Sequence, residues 1–125
     1  MLYRSSGGGD MLLKIKRVLG YIEANLEAKI TVDHLAEFAR LSRSHLCYLF
    51  KVETGVAPIQ YIKRVRIERA RDLLEQTNLS IKEIRSKVGL VDRSHFTRGF
   101  KEAFGVTPSE YRNRLYETCG SDYNK

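Results

Sequence analysis

The stretch RSHLCYLFKVETGVAP at residues 43–58 returns in altered form as RSHFTRGFKEAFGVTP at residues 93–108. These two copies lie 50 residues apart, whereas the preceding segments ITVDHL (30–35) and LSIKEI (79–84) lie 49 residues apart. One residue is therefore inserted in the turn of the second copy. Because chance agreement at so many positions is implausible, the chain contains two copies of one structural unit.

Both copies carry the same signals for the start and end of two short helices. Ser42 and Asp92 are suited to cap the helices that follow them, and Gly55 and Gly105 suit the left-handed residue that ends those helices. Two short helices joined by a tight turn form a helix-turn-helix unit. The predicted helices are 32–38 and 43–53 in the first copy, 81–87 and 93–104 in the second, about 59–76 between the copies, and 109–115 after them.

Further patterns complete an all-α interpretation. Ser80–Glu83 and Thr107–Glu110 are capping boxes, and apolar residues fall at helical spacing from Met11 onward. Nothing alternates with period two for long enough to indicate a sheet. We therefore expect an all-α fold of about seven helices in two helix-turn-helix subdomains, joined by a long central helix. The tandem domain spans 11–115, with units at about 11–57 and 78–115 and the joining helix at about 58–77.

Composition narrows the class of protein. The chain has 125 residues, a formal charge of +7 and 42% hydrophobic residues, and its pI is about 9.6. This balance favours a polyanionic partner, usually nucleic acid. No apolar run approaches the ~20 residues of a membrane span. Cys47 and Cys119 form no metal spacing and no disulfide framework, which indicates a reduced, cytoplasmic setting.

Both ends of the chain are expected to be flexible. Residues 1–10 contain Gly7-Gly8-Gly9 and lack the apolar core of a secretory signal, so they are predicted to be a flexible lead-in or linker. Residues 116–125 are predicted to be a flexible tail.

The second helix of each unit has an apolar back and a polar front when residues are placed at about 100° per step. The backs are Leu46, Leu49, Phe50 and Glu53 in the first copy, and Phe96, Phe100, Ala103 and Phe104 in the second. The fronts are Ser44, Cys47, Tyr48 and Lys51, and Ser94, Thr97, Arg98 and Lys101. Any amphipathic helix shows polar residues to water. The repeat, the turn spacing and the charge together favour helices that read DNA in the major groove.

At this level of detail the chain resembles the arabinose-regulator (AraC/XylS) family of transcription factors over roughly residues 12–115. The resemblance is carried by YIEANL (21–26), Leu35-Ala36, FKVETG (50–55), RIERARDLL (66–74) and FKEAFGVTPSEYR (100–112). It implies a seven-helix domain whose two recognition helices enter successive turns of the major groove. It also implies that in most members this domain follows a ligand-sensing or phospho-receiver domain along the chain, while some members consist of this domain alone. RNA polymerase is a further expected partner.

The resemblance assigns the base-reading candidates by position: Ser44, Cys47 and Tyr48 in the first helix, and Arg93, Ser94, Thr97 and Arg98 in the second. The histidines flank this face and are expected to bond phosphate. The full predicted DNA-contact set is Arg43, Ser44, His45, Cys47, Tyr48, Lys51, Arg93, Ser94, His95, Thr97, Arg98 and Lys101.

Three positions depart from the family pattern. Arg40 stands in the first turn where glycine is common, and a left-handed backbone there would cost an arginine about 1 kcal/mol or more. Arg85 occupies a helix-crossing site usually held by alanine, whereas the first copy keeps Ala36, so tight packing of the second unit is in question. Gly99 weakens its helix by about 1 kcal/mol relative to alanine.

Other functions of these residues are less favoured than DNA binding. His45 and His95 lack the cysteines or carboxylates of a metal site, so no metal or cofactor is expected. Oxidation of Cys47 would block the groove face, but no partner cysteine is visible, and a small tolerated side chain is the favoured interpretation. No nucleophile, base and orienting group occur together, so an enzyme is not expected. The cations of the joining helix alternate with Glu68, Asp72 and Glu75, which favours a solvated face over a phosphate-binding row. An apolar stripe on this helix is expected to dock it against both units, with Arg66 close to the stripe. The stripe consists of Ile59, Ile62, Ala70, Leu73 and Leu74.

Two other binding classes remain as alternatives. A membrane-surface or RNA-binding module would use the same basic charge, but aromatic platforms and a single long amphipathic helix are missing. The chain could also be the DNA-targeting module of a multifunctional protein such as a DNA-repair sensor. The favoured interpretation is a sequence-specific double-stranded DNA binder that activates or represses transcription. Its joining helix is expected to hold the two recognition helices at a fixed separation, so that one molecule reads a two-part site.

Overall fold

The computed structural model describes the backbone of residues 2–123 and the side chains of residues 11–117. It contains no strand in that part of the chain, which confirms the all-α fold. The seven helices are α1 (Leu2–Ala24), α2 (Val32–Ala39), α3 (Arg43–Thr54), α4 (Pro58–Gln76), α5 (Ile81–Lys87), α6 (Arg93–Phe104) and α7 (Pro108–Tyr123).

The outermost helices are longer than the sequence predicts. Helix α1 begins at Leu2 and passes through the glycine run, and α7 continues to Tyr123. Each glycine in a helix costs about 1 kcal/mol relative to alanine, a cost that an existing helix can meet because every added residue gains one hydrogen bond. The predicted flexibility of 1–10 and 116–125 stays a prediction, and residues 1, 124 and 125 lie outside the described backbone.

The chain divides into two compact units, residues 1–65 and 66–125. The long central helix predicted between the units is present as α4, but it is shared between them and does not form a separate connector. Its first half supplies Ile62 to the core of the first unit, and its second half supplies Ile67, Ala70 and Leu74 to the core of the second.

The first unit packs α1, α2, α3 and the start of α4 around one apolar core. Leu46 and Phe50 of α3 are fully buried, as predicted. Two residues assigned to apolar stripes are exposed instead: Ile59 is 61% exposed, and Glu53 faces solvent. Ile59 follows Pro58, which is fully buried, and one helical step of about 100° turns Ile59 away from the core. The Glu53 carboxylate would be costly to bury. The buried core consists of Ile15, Val18, Ile22, Leu26, Val32, Leu35, Ala36, Ala39, Leu46, Phe50 and Ile62.

The core of the second unit contains a cluster of aromatic rings. The Phe100 ring meets Phe96, Phe104 and Tyr111 edge-on, with centroids 6.0, 4.8 and 5.6 Å away. Such edge-to-face pairs add to the free energy gained from burial. Ala103, predicted to be in the buried stripe, is exposed, because the larger rings on either side of it fill the interface. The buried core consists of Ile67, Ala70, Leu74, Ile84, Val88, Phe96 and Phe100.

The segment between α4 and α5 is bonded by an arginine from α7. Arg112 donates to the carbonyl oxygens of Leu79 and Thr77, the latter at 3.1 Å. Neighbouring Tyr111 donates its hydroxyl to Glu75, and burial, followed by this hydrogen bond, raises the pKa of Tyr111. Arg112 Nη2 also lies 3.5 Å from the carbonyl oxygen of Leu74 in the last turn of α4. Arg112 therefore fixes the segment that follows α4 against the start of α7.

Side-chain caps begin the short helices, as predicted. The amide of His45 donates to Ser42 Oγ at 3.0 Å, and the amide of His95 donates to Asp92 Oδ1 at 2.8 Å. The corresponding cap of α2 is Thr31. Removal of such a cap typically costs about 1 kcal/mol.

Both predicted capping boxes are present in the second unit. Glu83 Oε1 accepts from the amide of Ser80 at 2.8 Å, and Glu110 Oε1 accepts from the amide of Thr107 at 2.9 Å. These backbone hydrogen bonds lower the pKa of Glu83 and Glu110. The bond from the His95 amide likewise lowers the pKa of Asp92.

The turn of the first unit contains the predicted left-handed arginine. Arg40 has φ 58° and ψ 45°, and it is the one residue other than glycine with positive φ in the described backbone. The amide of Leu41 then donates to the carbonyl of Ala36 at 2.9 Å and closes the helix end. The strain inferred from the missing glycine is therefore present at Arg40.

The turn of the second unit closes in the same way and then takes up the inserted residue. Gly89 has φ 77°, and the amide of Leu90 donates to the carbonyl of Arg85 at 2.9 Å. The register of 49 residues therefore persists through Leu90, and the insertion is Val91, which is 76% exposed. The Arg85 guanidinium donates to the Val91 carbonyl. The side chain expected to disturb the helix crossing thus binds the longer turn.

Candidate nucleic-acid interface

Helix α3 presents the predicted front to solvent. Ser44, Tyr48 and Lys51 are exposed, and Tyr48 is 66% exposed despite its large ring. Cys47 is half-buried and carries a free thiol. The back of the helix is anchored in the first core. Ser44, Tyr48 and Lys51 form the outward stripe, and Cys47 lies at its edge, packed partly against that core.

Helix α6 repeats this arrangement with different chemistry. Ser94, Arg98 and Lys101 are exposed, and Thr97 is half-buried like its counterpart Cys47. Phe96 and Phe100 have no exposed surface on the opposite side. The front of α6 therefore offers two hydroxyls and two cations, a set able to bond base edges and phosphates.

The flanking residues of the predicted set lie at the first turn of each helix. Arg43, His45, Arg93 and His95 are all exposed. Arg43 Nη1 lies 3.1 Å from a carboxylate oxygen of Asp33, and both side chains are largely exposed. Such a pair contributes about 0–1 kcal/mol and is weakened by salt. The structure thus places six residues of the predicted set on each short helix, and their contacts with DNA remain predictions.

A cleft in the second unit contains residues outside the predicted set. It has a volume of about 510 Å³ and is bounded by the starts of α5, α6 and α7. Arg93 and Thr97 of the predicted set line it, together with Lys82, Arg85 and Ser109. The sequence repeat could have revealed these cations. Lys82 aligns with Asp33 of the first copy and Arg85 aligns with Ala36, so the two copies differ in charge at these positions.

The basic residues of α4 have mixed surroundings. Lys63, Arg64 and Arg69 are exposed, whereas the Arg71 guanidinium lies 5.0 Å from the centre of the Phe104 ring. Burial lowers the pKa of Arg66, which is half-buried as its place beside the apolar stripe predicts.

The described residues also bear on metal sites and membrane spans. No group of three or more His, Cys, Asp or Glu side chains within residues 11–117 is arranged to hold a metal ion. None of the described helices is long and apolar enough to cross a membrane.

Two helix-turn-helix units, each with an apolar back and a polar front on its second helix, define a DNA-binding domain. A family model described as "Helix-turn-helix domain" matches residues 35–114. The chain belongs to the arabinose-regulator (AraC/XylS) family of helix-turn-helix proteins, as the sequence resemblance predicted.

Known proteins agree in sequence and in fold. The chain is 38% identical to the HTH-type transcriptional regulator GbdR of Pseudomonas aeruginosa, over 79% of this chain and 27% of GbdR. An AraC-type transcriptional regulator from Chromobacterium violaceum has 34% identity and a TM-score of 0.76, over 82% of this chain and 92% of that one. The DNA-binding domain of AdpA, solved with a target DNA, has 26% identity and a TM-score of 0.80, over 83% and 94%.

These likenesses confirm sequence-specific DNA binding in transcription regulation as the function of the domain. The chain spans about a quarter to two fifths of the length of the curated relatives it matches, 27% of GbdR and 39% of YdiP from Escherichia coli. The activity of a whole regulator is therefore a matter for proposal.

Proposed function

We propose that α3 and α6 are the recognition helices and that each enters the major groove of double-stranded DNA. The observation that carries this proposal is the repeated arrangement of the two helices. Each one buries two large apolar residues in the core of its own unit and turns a polar front of the same register to solvent. A side chain on a firmly packed helix can hold the geometry that base recognition needs.

The two fronts read different bases because they carry different groups. Arg98 is the only arginine at the centre of either front, and a bidentate contact with guanine is the commonest specific contact of an arginine. The first front offers the hydroxyls of Ser44 and Tyr48 and the thiol of Cys47. Lys51 and Lys101, together with the arginines and histidines of the first turns, bind phosphates and set the register.

One molecule accordingly reads an asymmetric two-part site, with the two parts in successive turns of the major groove. The centres of two such parts lie about 10–10.5 base pairs, or about 34 Å, apart on one face of the duplex. Where straight DNA does not fit both units, bending the duplex costs a few kcal/mol.

The test uses a duplex selected from a random pool and a second duplex with five base pairs inserted between its two parts. Half a helical turn moves one part to the opposite face, so affinity is expected to fall to that of a single half-site. An insertion of five base pairs outside the two parts is the control for added length and is expected to leave affinity unchanged. Unchanged affinity after the five-base-pair insertion would mean that one unit alone engages DNA.

The chain itself is proposed to be the DNA-binding part of a longer cytoplasmic regulator. The support is its length relative to GbdR and YdiP. A sensor or receiver domain in the same protein and a contact with RNA polymerase belong to this proposal, and no catalytic role is included. The matched relatives are described as transcription regulators, which favours this role over a DNA-repair sensor.

A further inference from the structure

The cleft between α5, α6 and α7 differs in charge from its counterpart in the first unit. Lys82, Arg85 and Arg93 supply three cations, and Thr97, Thr107 and Ser109 supply three hydroxyls. None of the described residues that line the cleft is acidic. Glu83 and Glu110 are nearby in sequence, but both are bonded to backbone amides in capping boxes.

The aligned residues of the first unit form no such set. Asp33 stands in place of Lys82, Ala36 in place of Arg85, and Cys47 in place of Thr97. Arg43, the counterpart of Arg93, is paired with Asp33 at 3.1 Å. Ala57 and Ile59 replace the remaining two hydroxyls. The same backbone scaffold is therefore cationic in one unit and nearly neutral in the other.

We propose that this cleft holds a phosphate of the DNA backbone and that the aligned positions of the first unit form no such phosphate-binding site. The proposal rests on the proposed role of α6 as a recognition helix, because Arg93 and Thr97 belong to both the helix front and the cleft wall. A duplex in contact with the front of α6 brings its phosphates to the edge of the groove, beside these residues. Ammonium, guanidinium and hydroxyl donors are the groups that bind DNA phosphates.

Arg85 has two roles in this arrangement. Its guanidinium is held by the Val91 carbonyl of the longer turn, so the cation stays at the cleft wall. The alanine usual at this position in the family would leave that cation out. Arg85 is therefore a poor test residue, because its replacement would alter the turn as well as the charge.

Lys82 and Ser109 are better test residues because both are exposed. For Lys82→Gln, the slope of log affinity against log salt concentration is expected to become less steep by about one unit, because one phosphate contact is lost. At about 0.1 M salt this corresponds to about fivefold to tenfold weaker binding. Lys87→Gln is the matched control: it removes the same charge from the same helix at a residue that does not line the cleft.

Ser109→Asp places a carboxylate in the cleft without harm to the fold. Position 109 lies in the first turn of α7, where a negative charge stabilises a helix. We expect DNA binding to weaken by tenfold or more while the thermal midpoint is unchanged or raised. Asn113→Asp, one turn later on α7, adds the same charge outside the cleft and is expected to have a smaller effect.

The measurements are affinities for a selected duplex and for a non-specific duplex at several salt concentrations, with inorganic phosphate as a separate probe. Weakening on both duplexes for the cleft variants, but not for their controls, supports a backbone phosphate-binding site. Equal affinities and slopes for cleft and control variants would overturn it, even if inorganic phosphate binds the cleft. If the wild-type chain itself lacked salt-dependent DNA binding, that result would contradict the proposed function as well as the proposed role of the cleft.

Discussion

The two helix-turn-helix units share their helices, caps and buried positions, and they differ in the turn and on the surface. The first unit has Arg40 in a left-handed conformation, hydroxyl caps on α2 and α3, and an ion pair between Asp33 and Arg43. The second unit has Gly89 at the corresponding left-handed position and one extra residue, Val91, in the turn. Its α6 is capped by the Asp92 carboxylate, and glutamates complete the capping boxes of α5 and α7. The difference lies in the turn and on the exposed surface, which includes the fronts proposed to contact DNA.

This pattern shows which positions the scaffold constrains. Phe50 and Phe100 are both fully buried, and both meet a tyrosine edge-on, at 5.4 Å for Phe50–Tyr61 and 5.6 Å for Phe100–Tyr111. The outward positions 47 and 97, or 48 and 98, hold unlike residues. Two copies that fold alike can therefore read unlike DNA, because the core fixes helix placement and the fronts are free to diverge.

The largest effect is expected from the centre of the second front. Arg98→Ala is predicted to weaken binding to the selected duplex by about 1–3 kcal/mol and to relax the preference at one guanine. Affinity and a repeated selection from a random pool measure both quantities. Retention of both would show that Arg98 does not read a base.

The aligned residue Tyr48 gives the matched comparison for Arg98. Tyr48→Ala is expected to change preference only in the other part of the site, because it belongs to the first unit. Lys101→Ala is the control for charge and is expected to weaken binding evenly across sequences. A change at the same guanine in all three variants would mean that the two fronts do not read separate parts.

The turns provide a second comparison, with a smaller effect on stability. Arg40→Gly removes about 1–2 kcal/mol of left-handed strain, but it also raises the conformational entropy of the unfolded chain, which costs about 0.4–1 kcal/mol. The expected gain in stability is therefore between about 0 and 1.6 kcal/mol. Gly89→Ala imposes the same strain on the second unit and is expected to destabilise it. Thermal melts of both variants test the pair, and DNA preference is expected to stay unchanged in Arg40→Gly. A lower midpoint for Arg40→Gly would show that the arginine makes a stabilising contact.

The sequence predicted most of the fold because the repeat could be compared with itself. Caps such as Ser42 and Asp92, and the left-handed Arg40, follow from local rules that depend on few neighbours. The exposure of Ile59 and Ala103 was missed, because helical periodicity does not show where a packed interface ends. The cleft was missed for a related reason. It draws on Lys82, Arg93 and Ser109, which lie on three helices and meet only in the folded unit.

Acid is expected to act differently on the two units, because carboxylates take part in capping α5, α6 and α7, whereas the caps of α2 and α3 are hydroxyls alone. Thr31 and Ser42 cap α2 and α3 with hydroxyls, which do not titrate in acid. Asp92, Glu83 and Glu110 use carboxylates whose pKa values are lowered by hydrogen bonds from backbone amides. Each carboxylate binds its proton less tightly in the folded unit than in the unfolded chain. Its contribution to stability is therefore complete above the ordinary pKa of about 4 and is lost as the pH falls through the lowered value.

Between about pH 5 and pH 2, the second unit is accordingly expected to loosen before the first. Amide hydrogen exchange by NMR is the measurement. Protection of the amides of Ser80, His95 and Thr107, which donate to the carboxylates, is expected to fall first, while that of His45, which donates to Ser42, persists. Asp92→Ser gives α6 the kind of cap that α3 has, and the acid step at His95 is expected to disappear in that variant. Equal acid sensitivity of His45 and His95 in the wild-type chain would contradict the prediction, because it would show that the cap carboxylates do not set the acid stability of their unit.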